Sequence, residues 1–295
     1  MSTPSPSPRT RESLGGIERF WMLVLAGCMG VLFVAAFNLI GPLQLTSTAP
    51  NGREVVDVDL SRILVDWTYY TDEAGQLTNK RNPFAVQSFM WVAMFIGLGE
   101  LWLRSRALRA DQKLLRSGFL PEDERSLLTV DDLRPIYVKA RAVTRASVLP
   151  VLVRRLSMEF RKSKSIDRVN SLLDTSLELA LHHLDLRYTL IRYLVWVIPT
   201  LGFVGTVIGI ANAMAFAGSG AVDMENLLAP TTQRLAVAFY TTLVALLQSG
   251  VLVLGMNSLQ AGEEKVINDA GQYCLENLVM RLMEPGQLEA ARNKS

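Results

Sequence analysis

Charge is missing from two long stretches of this 295-residue chain. Residues 193–222 and residues 235–262 contain no Asp, Glu, Lys, Arg or His. Each stretch exceeds the roughly 20 apolar residues that an α-helix needs to cross about 30 Å of hydrocarbon, so we expect both to span a membrane. Two further apolar runs lie at 20–40 and 84–103, and the hydrophobic content of 49% is typical of a membrane protein.

Cysteine and histidine are also scarce, with two residues of each. Cys28 lies in an apolar run and Cys274 in a polar tail, so we expect no disulfide between them, and no Cys/His spacing predicts a metal site. His182 and His183 are neighbours on a predicted helix and do not face each other, which indicates surface residues. The LAGC sequence ending at Cys28 resembles a lipoprotein processing box, but the run stays apolar beyond it, which favours a retained anchor.

Motifs of familiar enzyme classes are absent as well. The sequence contains no HExxH, no P-loop, no GxSxG and no pair of intramembrane aspartates, so we expect neither enzymatic activity nor a cofactor. Nucleic-acid binding is not predicted, because no base-stacking aromatic residues interleave the basic stretch that includes residues 138–164.

The distribution of Lys and Arg predicts the orientation of the chain. Three arginines precede the first apolar run, and residues 104–168 carry sixteen basic against eight acidic residues. Residues 41–83 carry only four basic residues against six acidic ones. Both termini and the large middle segment are therefore predicted to lie in the cytoplasm.

These observations predict an all-α, polytopic membrane protein with four transmembrane helices, two of which extend into a cytoplasmic helical domain. One long helix is expected to run from about residue 166 into the third span, because no Gly or Pro precedes Pro199. The predicted segments are a disordered N-terminus (1–18), transmembrane helix 1 (19–41), an outer segment (42–83), transmembrane helix 2 (84–104), the cytoplasmic helical domain (105–189), transmembrane helix 3 (190–217), a short outer link (218–231), transmembrane helix 4 (232–258) and a cytoplasmic C-terminal helix and tail (259–295).

Two of these segments leave alternatives open. The outer segment has β-branched and aromatic residues suited to a short strand or helix, and it forms either a cap or partner contact at the outer mouth or a solvated loop. The basic stretch around Pro150 is either a helix face near anionic headgroups or a docking face for a cytoplasmic partner. Between these two segments, Gly118 is expected to end a helix, and Thr129 with Asp132 resembles a capping box at the start of another.

Small and hydroxylated residues recur on one face of each uncharged run. In the third span these are Gly202, Thr206, Gly209 and Ala213; in the fourth they are Ala238, Thr242, Ala245 and Ser249, with Thr241 and Gln248 adding polarity. Small residues let transmembrane helices approach closely, and Ser or Thr can bond to their own backbone, so packing explains any one of them. Matched threonines on facing spans favour a polar path in addition.

No carboxylate accompanies these hydroxyls. A proton pathway normally exposes a titratable group inside the membrane, where burial costs at least about 2.5 to 3.5 kcal/mol. The hairpin has its charges, Asp223, Glu225 and Arg234, only at its outer edge. Either the two spans conduct nothing, or a partner helix supplies the acid.

Two motifs in the hairpin resemble the MotA/TolQ/ExbB proton-channel family. IPTLGFVGTVIGI, at 198–210, is similar to the third-span signature, and LLAPTTQRLAVAFYTTLVALLQSGVLVLGMN, at 227–257, is similar to the last span, which an alanine-proline pair ending at Pro230 opens. The resemblance covers residues 191–260. It departs from the TolQ and ExbB branch at Val237, where that branch usually has a glutamate, and the four spans are closer to the MotA arrangement.

The resemblance implies a homopentamer around a dimer of a single-span MotB/ExbD/TolR-like partner whose aspartate carries the proton. Carried over by position, Thr206 and Thr242 match the threonines that line the path, and Pro199 matches the proline before LG in the flagellar-stator branch. The expected pore lining is Thr206, Thr242, Thr241, Gly202, Gly209, Ala213, Ala238, Ala245 and Ser249, with Pro199 and Pro230 at a helix hinge or start. The expected location is the bacterial inner membrane, with residues 42–83 in the periplasm.

Two functions remain as hypotheses. The first is a proton-channel stator subunit of a membrane motor that converts the proton-motive force into mechanical work. The second is a membrane scaffold that conducts nothing and presents its cytoplasmic helices to partner proteins.

Overall fold

The computed structural model describes residues 8–39, 44–48, 54–59, 67–71, 77–81, 85–121, 127–143, 147–218 and 224–284. Within these ranges the chain forms seven α-helices: α1 (Pro8–Leu39), α2 (Val86–Leu115), α3 (Leu133–Ala142), α4 (Val148–Ser163), α5 (Ile166–Arg187), α6 (Thr189–Gly218) and α7 (Met224–Asn277). A single 3₁₀ turn, Val279–Arg281, follows α7. Four of the long helical stretches are apolar enough to cross a membrane, which confirms the all-α polytopic class.

The segment between α1 and α2 contains short strands. β1 (Gln44–Thr48) pairs antiparallel with β2 (Glu54–Asp59), and β3 (Trp67–Thr71) pairs antiparallel with β4 (Leu77–Arg81). Both pairs are two-stranded, in agreement with the β-branched and aromatic residues of this segment. These four short strands do not change the fold class.

Three helix boundaries differ from the simplest reading of the sequence. α1 begins at Pro8, inside the segment expected to be disordered. Proline is well suited to the first position of a helix. α7 begins at Met224, inside the expected outer link. The single helix expected from residue 166 onward is interrupted at Tyr188, whose φ of −84° and ψ of −3° separate α5 from α6. Residues 1–7, 219–223 and 285–295 lie outside the described residues.

The chain divides into two compact units, the first of which comprises residues 1–103 and 190–255. In this unit α1 and α2 approach through glycine. A Cβ atom added to Gly30 would lie 2.9 Å from the Cα of Val92, and one added to Gly99 would lie 2.6 Å from the Cβ of Ala26. Both distances are shorter than normal carbon contacts, so these glycines allow the two helices to pack backbone to backbone.

An ion pair also joins α1 to α2. The Nε and Nη2 atoms of Arg19 lie 3.0 Å and 2.5 Å from the two carboxylate oxygens of Glu100. Glu100 is almost fully buried, so the paired guanidinium supplies the counter-charge that a buried acid needs. The acid near the end of the second apolar run is therefore bound inside the subunit.

The second unit, residues 104–189 and 256–295, has its own hydrophobic core. Leucines and other apolar residues of α3, α4, α5 and the end of α7 form it, with Leu133, Val153, Leu156, Phe160 and Leu278 fully buried. The thiol of Cys274 lies in this core, and burial raises its pKa to about 12. The predicted separation of the two cysteines agrees with the structure, in which both are free.

The start of α3 follows the capping pattern in part. Asp132 precedes the first helical residue, and its Oδ2 accepts hydrogen bonds from the backbone N–H of Thr129 at 2.9 Å and from the Thr129 hydroxyl at 2.6 Å. These bonds lower the pKa of Asp132 below its ordinary value. Gly118, with a φ of 61°, adopts the left-handed conformation expected of a glycine after a helix end.

A buried polar cluster lies at the break between α5 and α6. The guanidinium of Arg104 donates a 2.5 Å hydrogen bond to the carbonyl of Arg187 and lies 4.2 Å from the centre of the Tyr188 ring. The Tyr188 hydroxyl donates to Glu263 across 3.2 Å, and Glu263 lies 3.6 Å from Arg104. Each of the three side chains thus contacts the other two, and the Arg187 carbonyl freed by the helix break has a charged donor.

Candidate functional site

The candidate site is the contact between α6 and α7, which small residues bring close together. A Cβ added to Gly209 would lie 2.6 Å from the Cβ and 3.0 Å from the Cα of Ala238. One added to Gly202 would collide with the Cβ of Ala245, so no larger residue fits at either position without moving a backbone. The predicted small faces of the third and fourth spans therefore pack against each other over about two helical turns.

Thr206 and Thr242 meet in the middle of this contact. Their hydroxyl oxygens are within hydrogen-bonding distance of each other. Thr206 Oγ1 also lies 3.2 Å from the carbonyl oxygen of Gly202 and 3.1 Å from that of Ala238, and Thr242 Oγ1 lies 3.2 Å from the Gly202 carbonyl. Both threonines are half-buried, so this hydroxyl pair lies at the edge of the helix contact.

The hydroxyl pair can accept further hydrogen bonds. Each hydroxyl carries one proton and two lone pairs, and the two protons are shared among two carbonyl oxygens and the hydroxyls themselves. A carboxylic acid placed beside them could donate to a lone pair. A carboxylate could instead accept a hydrogen bond from either hydroxyl after rotation about the C–O bond. The site can therefore bind both protonation states of a carboxyl group without a change in the backbone.

A third hydroxyl contact lies further along α7. Ser249 Oγ donates to the carbonyl oxygen of Val195 across 3.0 Å. Val195 precedes Pro199 by four residues, and proline has no N–H, so that carbonyl lacks its usual partner within α6. Ser249 supplies the missing donor from the facing helix.

The comparison with protein families identifies the group to which this hairpin belongs. Residues 144–271 match the family model described as the MotA/TolQ/ExbB proton channel family. Residues 144–271 belong to this family. The matched region includes α4, α5, α6 and most of α7, whereas α1, α2 and the strands lie outside it. The comparisons with curated proteins and with solved structures gave no match.

Membership in the MotA/TolQ/ExbB family gives the hairpin a general function. The family consists of proton channels of energy-transducing complexes, which act as oligomers with partner proteins and are not a class of enzymes. The chain accordingly contains a domain of the proton channel family and four helices apolar enough to cross a membrane. Among the described residues, no group of three or more His, Cys, Asp or Glu side chains could hold a metal ion.

The remaining predicted site residues occupy different surroundings. Thr241 is buried, donates to the Ala238 carbonyl at 2.7 Å, and would contact a Cβ added to Gly205 at 3.1 Å. Ala213 is buried near the C-terminal end of α6. Pro199 lies inside α6 and Pro230 inside α7. Ala238, Ala245 and Gly202 are buried at the helix contact.

Two features of the hairpin were not predicted. The side-chain amide of Gln248 is buried, and neither its oxygen nor its nitrogen has a hydrogen-bond partner. Arg234 places its guanidinium carbon 3.6 Å from the centre of the Phe216 ring, near the C-terminal end of α6. Helical spacing places Arg234 on the same face as Ala238 and Thr242, which was a usable signal; the lack of a partner for Gln248 had no counterpart in the sequence.

Proposed function

We propose that this chain is the proton-channel stator subunit of a membrane motor, and that a single-span partner supplies the carboxyl group that carries the proton. The observation that carries the proposal is the half-buried contact between Thr206 and Thr242 in a hairpin that has no acid of its own. These two hydroxyls can stabilise a titratable group only if another chain supplies that group.

The chemistry of the pair supports this role. A carboxyl group that moves past Thr206 and Thr242 meets lone pairs when it is protonated and a rotatable O–H when it is ionised. Ionised carboxylates are costly inside a membrane, and hydrogen bonds to the charged form lower that cost. Each proton that crosses about 100 mV releases roughly 2.3 kcal/mol, which is the energy available for mechanical work.

The proposed assembly combines the resemblance to the family with the lack of an acid in the hairpin. Several copies of the subunit, a pentamer by resemblance to the family, surround a dimer of MotB/ExbD/TolR-like helices, each with an aspartate at the depth of the threonines. The excess of Lys and Arg in residues 104–168 supports cytoplasmic termini and an inner-membrane location. Residues 42–83 then lie in the periplasm.

Conservative substitutions at the two threonines test the proposal. Thr206→Val and Thr242→Val keep the shape of the side chain and remove the hydroxyl, whereas Thr206→Ser and Thr242→Ser keep the hydroxyl. Each variant is purified with its partner, reconstituted into vesicles, and tested for proton uptake with a pH-sensitive dye under an imposed potential. We expect proton flux to fall at least tenfold in the valine variants and by less than threefold in the serine variants.

The oligomeric state of each complex is measured in parallel by native mass spectrometry. Intact complexes with lost flux in the valine variants support the proposal. Full flux in both valine variants would contradict it and would favour the scaffold hypothesis, in which the hairpin serves only for packing.

A further inference from the structure

The outward face of α4 is basic. Arg154, Arg155, Arg161 and Lys162 are all exposed and surround Met158, whose side chain is 55% exposed. At 100° per residue these five positions fall within about 120° of the helix circumference, and the buried residues of α4, including Val153, Leu156 and Phe160, lie on the opposite side.

The outward face of α5 carries the opposite charge. Asp167, Asp174, Glu178 and Asp185 are spaced by seven, four and seven residues, which places them within about 20° of one line along the helix. All four are exposed, and the buried residues Val169, Leu173 and Ser176 lie on the other side of α5. The line extends about 27 Å, and α4 is about 24 Å long.

Seven of the eight charged groups on these two faces have no ion pair or side-chain hydrogen bond within the described residues. In the described part of the structure, no ion pair or side-chain hydrogen bond involves Arg154, Arg155, Arg161 or Lys162. The same holds for the carboxylates of Asp167, Asp174 and Glu178. Both faces thus present most of their charge to something outside this chain.

We propose that the basic face of α4 docks against the acidic line of α5 in a second copy of this chain. The two faces carry four groups each, of opposite charge, and the basic face, about 12 Å long from Arg154 to Lys162, fits within the length of the acidic line. They are different surfaces of one molecule, so the contact is heterologous. Where the rotation between neighbouring copies closes a ring, repetition of this contact leaves neither face uncovered. The inference rests on the homo-oligomer of the proposed function and adds the surface through which neighbouring cytoplasmic units recognise each other.

Zero-length cross-linking tests the contact directly. The full chain is produced in unlabelled and ¹⁵N-labelled forms, mixed during assembly with its partner in lipid nanodiscs, and treated with a carbodiimide that joins an amine to a carboxylate in direct contact. Lys162 is the single amine on the basic face, so we expect mixed-isotope peptides that join Lys162 to Asp174 or Glu178. Cross-links of Lys162 only within one isotope, in an intact oligomer, would overturn the proposal.

A charge exchange gives a second, independent test. Arg154→Glu with Arg155→Glu, or Asp174→Arg with Glu178→Arg, is expected to lower the fraction of full oligomer at least threefold at low salt, and the combination of all four is expected to restore it. Arg141→Glu, at an exposed position on α3, is the matched control and should leave the oligomer intact. Loss of oligomer without restoration in the combined variant would contradict the proposal.

The readouts separate this inference from the proposed function. If proton flux is absent but the mixed cross-links form, the docking surface stands and the channel proposal fails. If the basic variants leave the full oligomer intact at low salt, α4 does not bind a neighbouring copy and the docking proposal is wrong.

Discussion

Ser249 donates its hydroxyl proton to the carbonyl oxygen of Val195 across 3.0 Å, and this carbonyl is the one that Pro199 leaves without a donor in α6. Proline inside a helix removes the hydrogen bond to the carbonyl four residues earlier. Inside hydrocarbon no water can donate a hydrogen bond to that carbonyl, so the donor has to come from the protein. The pair therefore links a break in the backbone of α6 to a single side chain of α7.

The first prediction concerns the coupling between these two positions. Ser249→Ala removes the donor and is expected to lower the free energy of unfolding by about 0.6 kcal/mol, the average for hydrogen bonds between membrane helices, and by no more than about 1.7 kcal/mol. In a Pro199→Ala background an N–H returns to α6, so the same serine substitution is expected to have little effect. Thermal unfolding of the four proteins in detergent completes the double-mutant cycle. Additive effects of the two substitutions would mean that Ser249 does not compensate for Pro199.

The second prediction concerns the close approach at Gly209. Gly209→Ala places a methyl group 2.6 Å from the Cβ of Ala238, so α6 and α7 must separate and the contact between Thr206 and Thr242 must lengthen. We expect a lower unfolding temperature and a proton flux reduced at least fivefold in reconstituted vesicles.

Gly250→Ala is the matched control for Gly209→Ala. Gly250 lies on α7 in the same unit, and a Cβ added there meets nothing within 4 Å. Because alanine favours a helix over glycine by about 1 kcal/mol, this variant should be as stable as the parent or more so. Equal behaviour of the two variants would show that the close approach at Gly209 is unimportant.

The third prediction concerns the pH dependence of stability. Burial raises the pKa of Glu263 above its ordinary value, although Arg104 and the Tyr188 hydroxyl oppose the shift. The folded protein therefore binds this proton more readily than the unfolded chain, and the stability that protonation contributes is lost as pH rises through the folded pKa. The free energy of unfolding of the parent minus that of Glu263→Gln, measured across pH, should therefore decline as pH rises. Tyr188→Phe should shift that decline to higher pH, because the hydroxyl favours the ionised form.

Asp132 provides the control of opposite sign. Its pKa is lowered by hydrogen bonds from Thr129, so its contribution is present above the unfolded pKa and is lost as pH falls through the folded one. The corresponding difference for Asp132→Asn should therefore increase with rising pH. If the two differences changed in the same direction with pH, the causes assigned to the two pKa shifts would be wrong.

The sequence was sufficient to predict the site where local periodicity determines the geometry. Spacings of three and four residues placed Thr206 and Thr242 on small faces, and the structure brings them into contact because two antiparallel helices joined by a short link have little freedom of register. The bond between Ser249 and Val195 was also accessible, since counting four residues back from Pro199 identifies the carbonyl.

The cluster of Arg104, Tyr188 and Glu263 could not be predicted. These residues come from three segments far apart in the chain, and only tertiary packing brings them together. The same limit applies to the break at Tyr188, since no local signal separates α5 from α6. For the outer segment the sequence left a short strand and a short helix as alternatives. β-branched residues favour a strand, but a short segment forms one only when another strand pairs with it.

The last prediction concerns Gln248, whose amide is buried without a hydrogen-bond partner. A buried polar group left unpaired costs about 1 to 3 kcal/mol, whereas an apolar side chain of similar shape carries no such cost. Gln248→Met is therefore expected to raise the free energy of unfolding by about 1 kcal/mol or more. Thr241→Val is the matched control on the same helix, because Thr241 is equally buried but its hydroxyl is bonded to Ala238; this variant should be neutral or slightly destabilised. Destabilisation by Gln248→Met in thermal unfolding would show that the amide has a partner in the assembled complex. A stabilised variant with reduced proton flux would instead show that this amide is retained for conduction rather than for the fold.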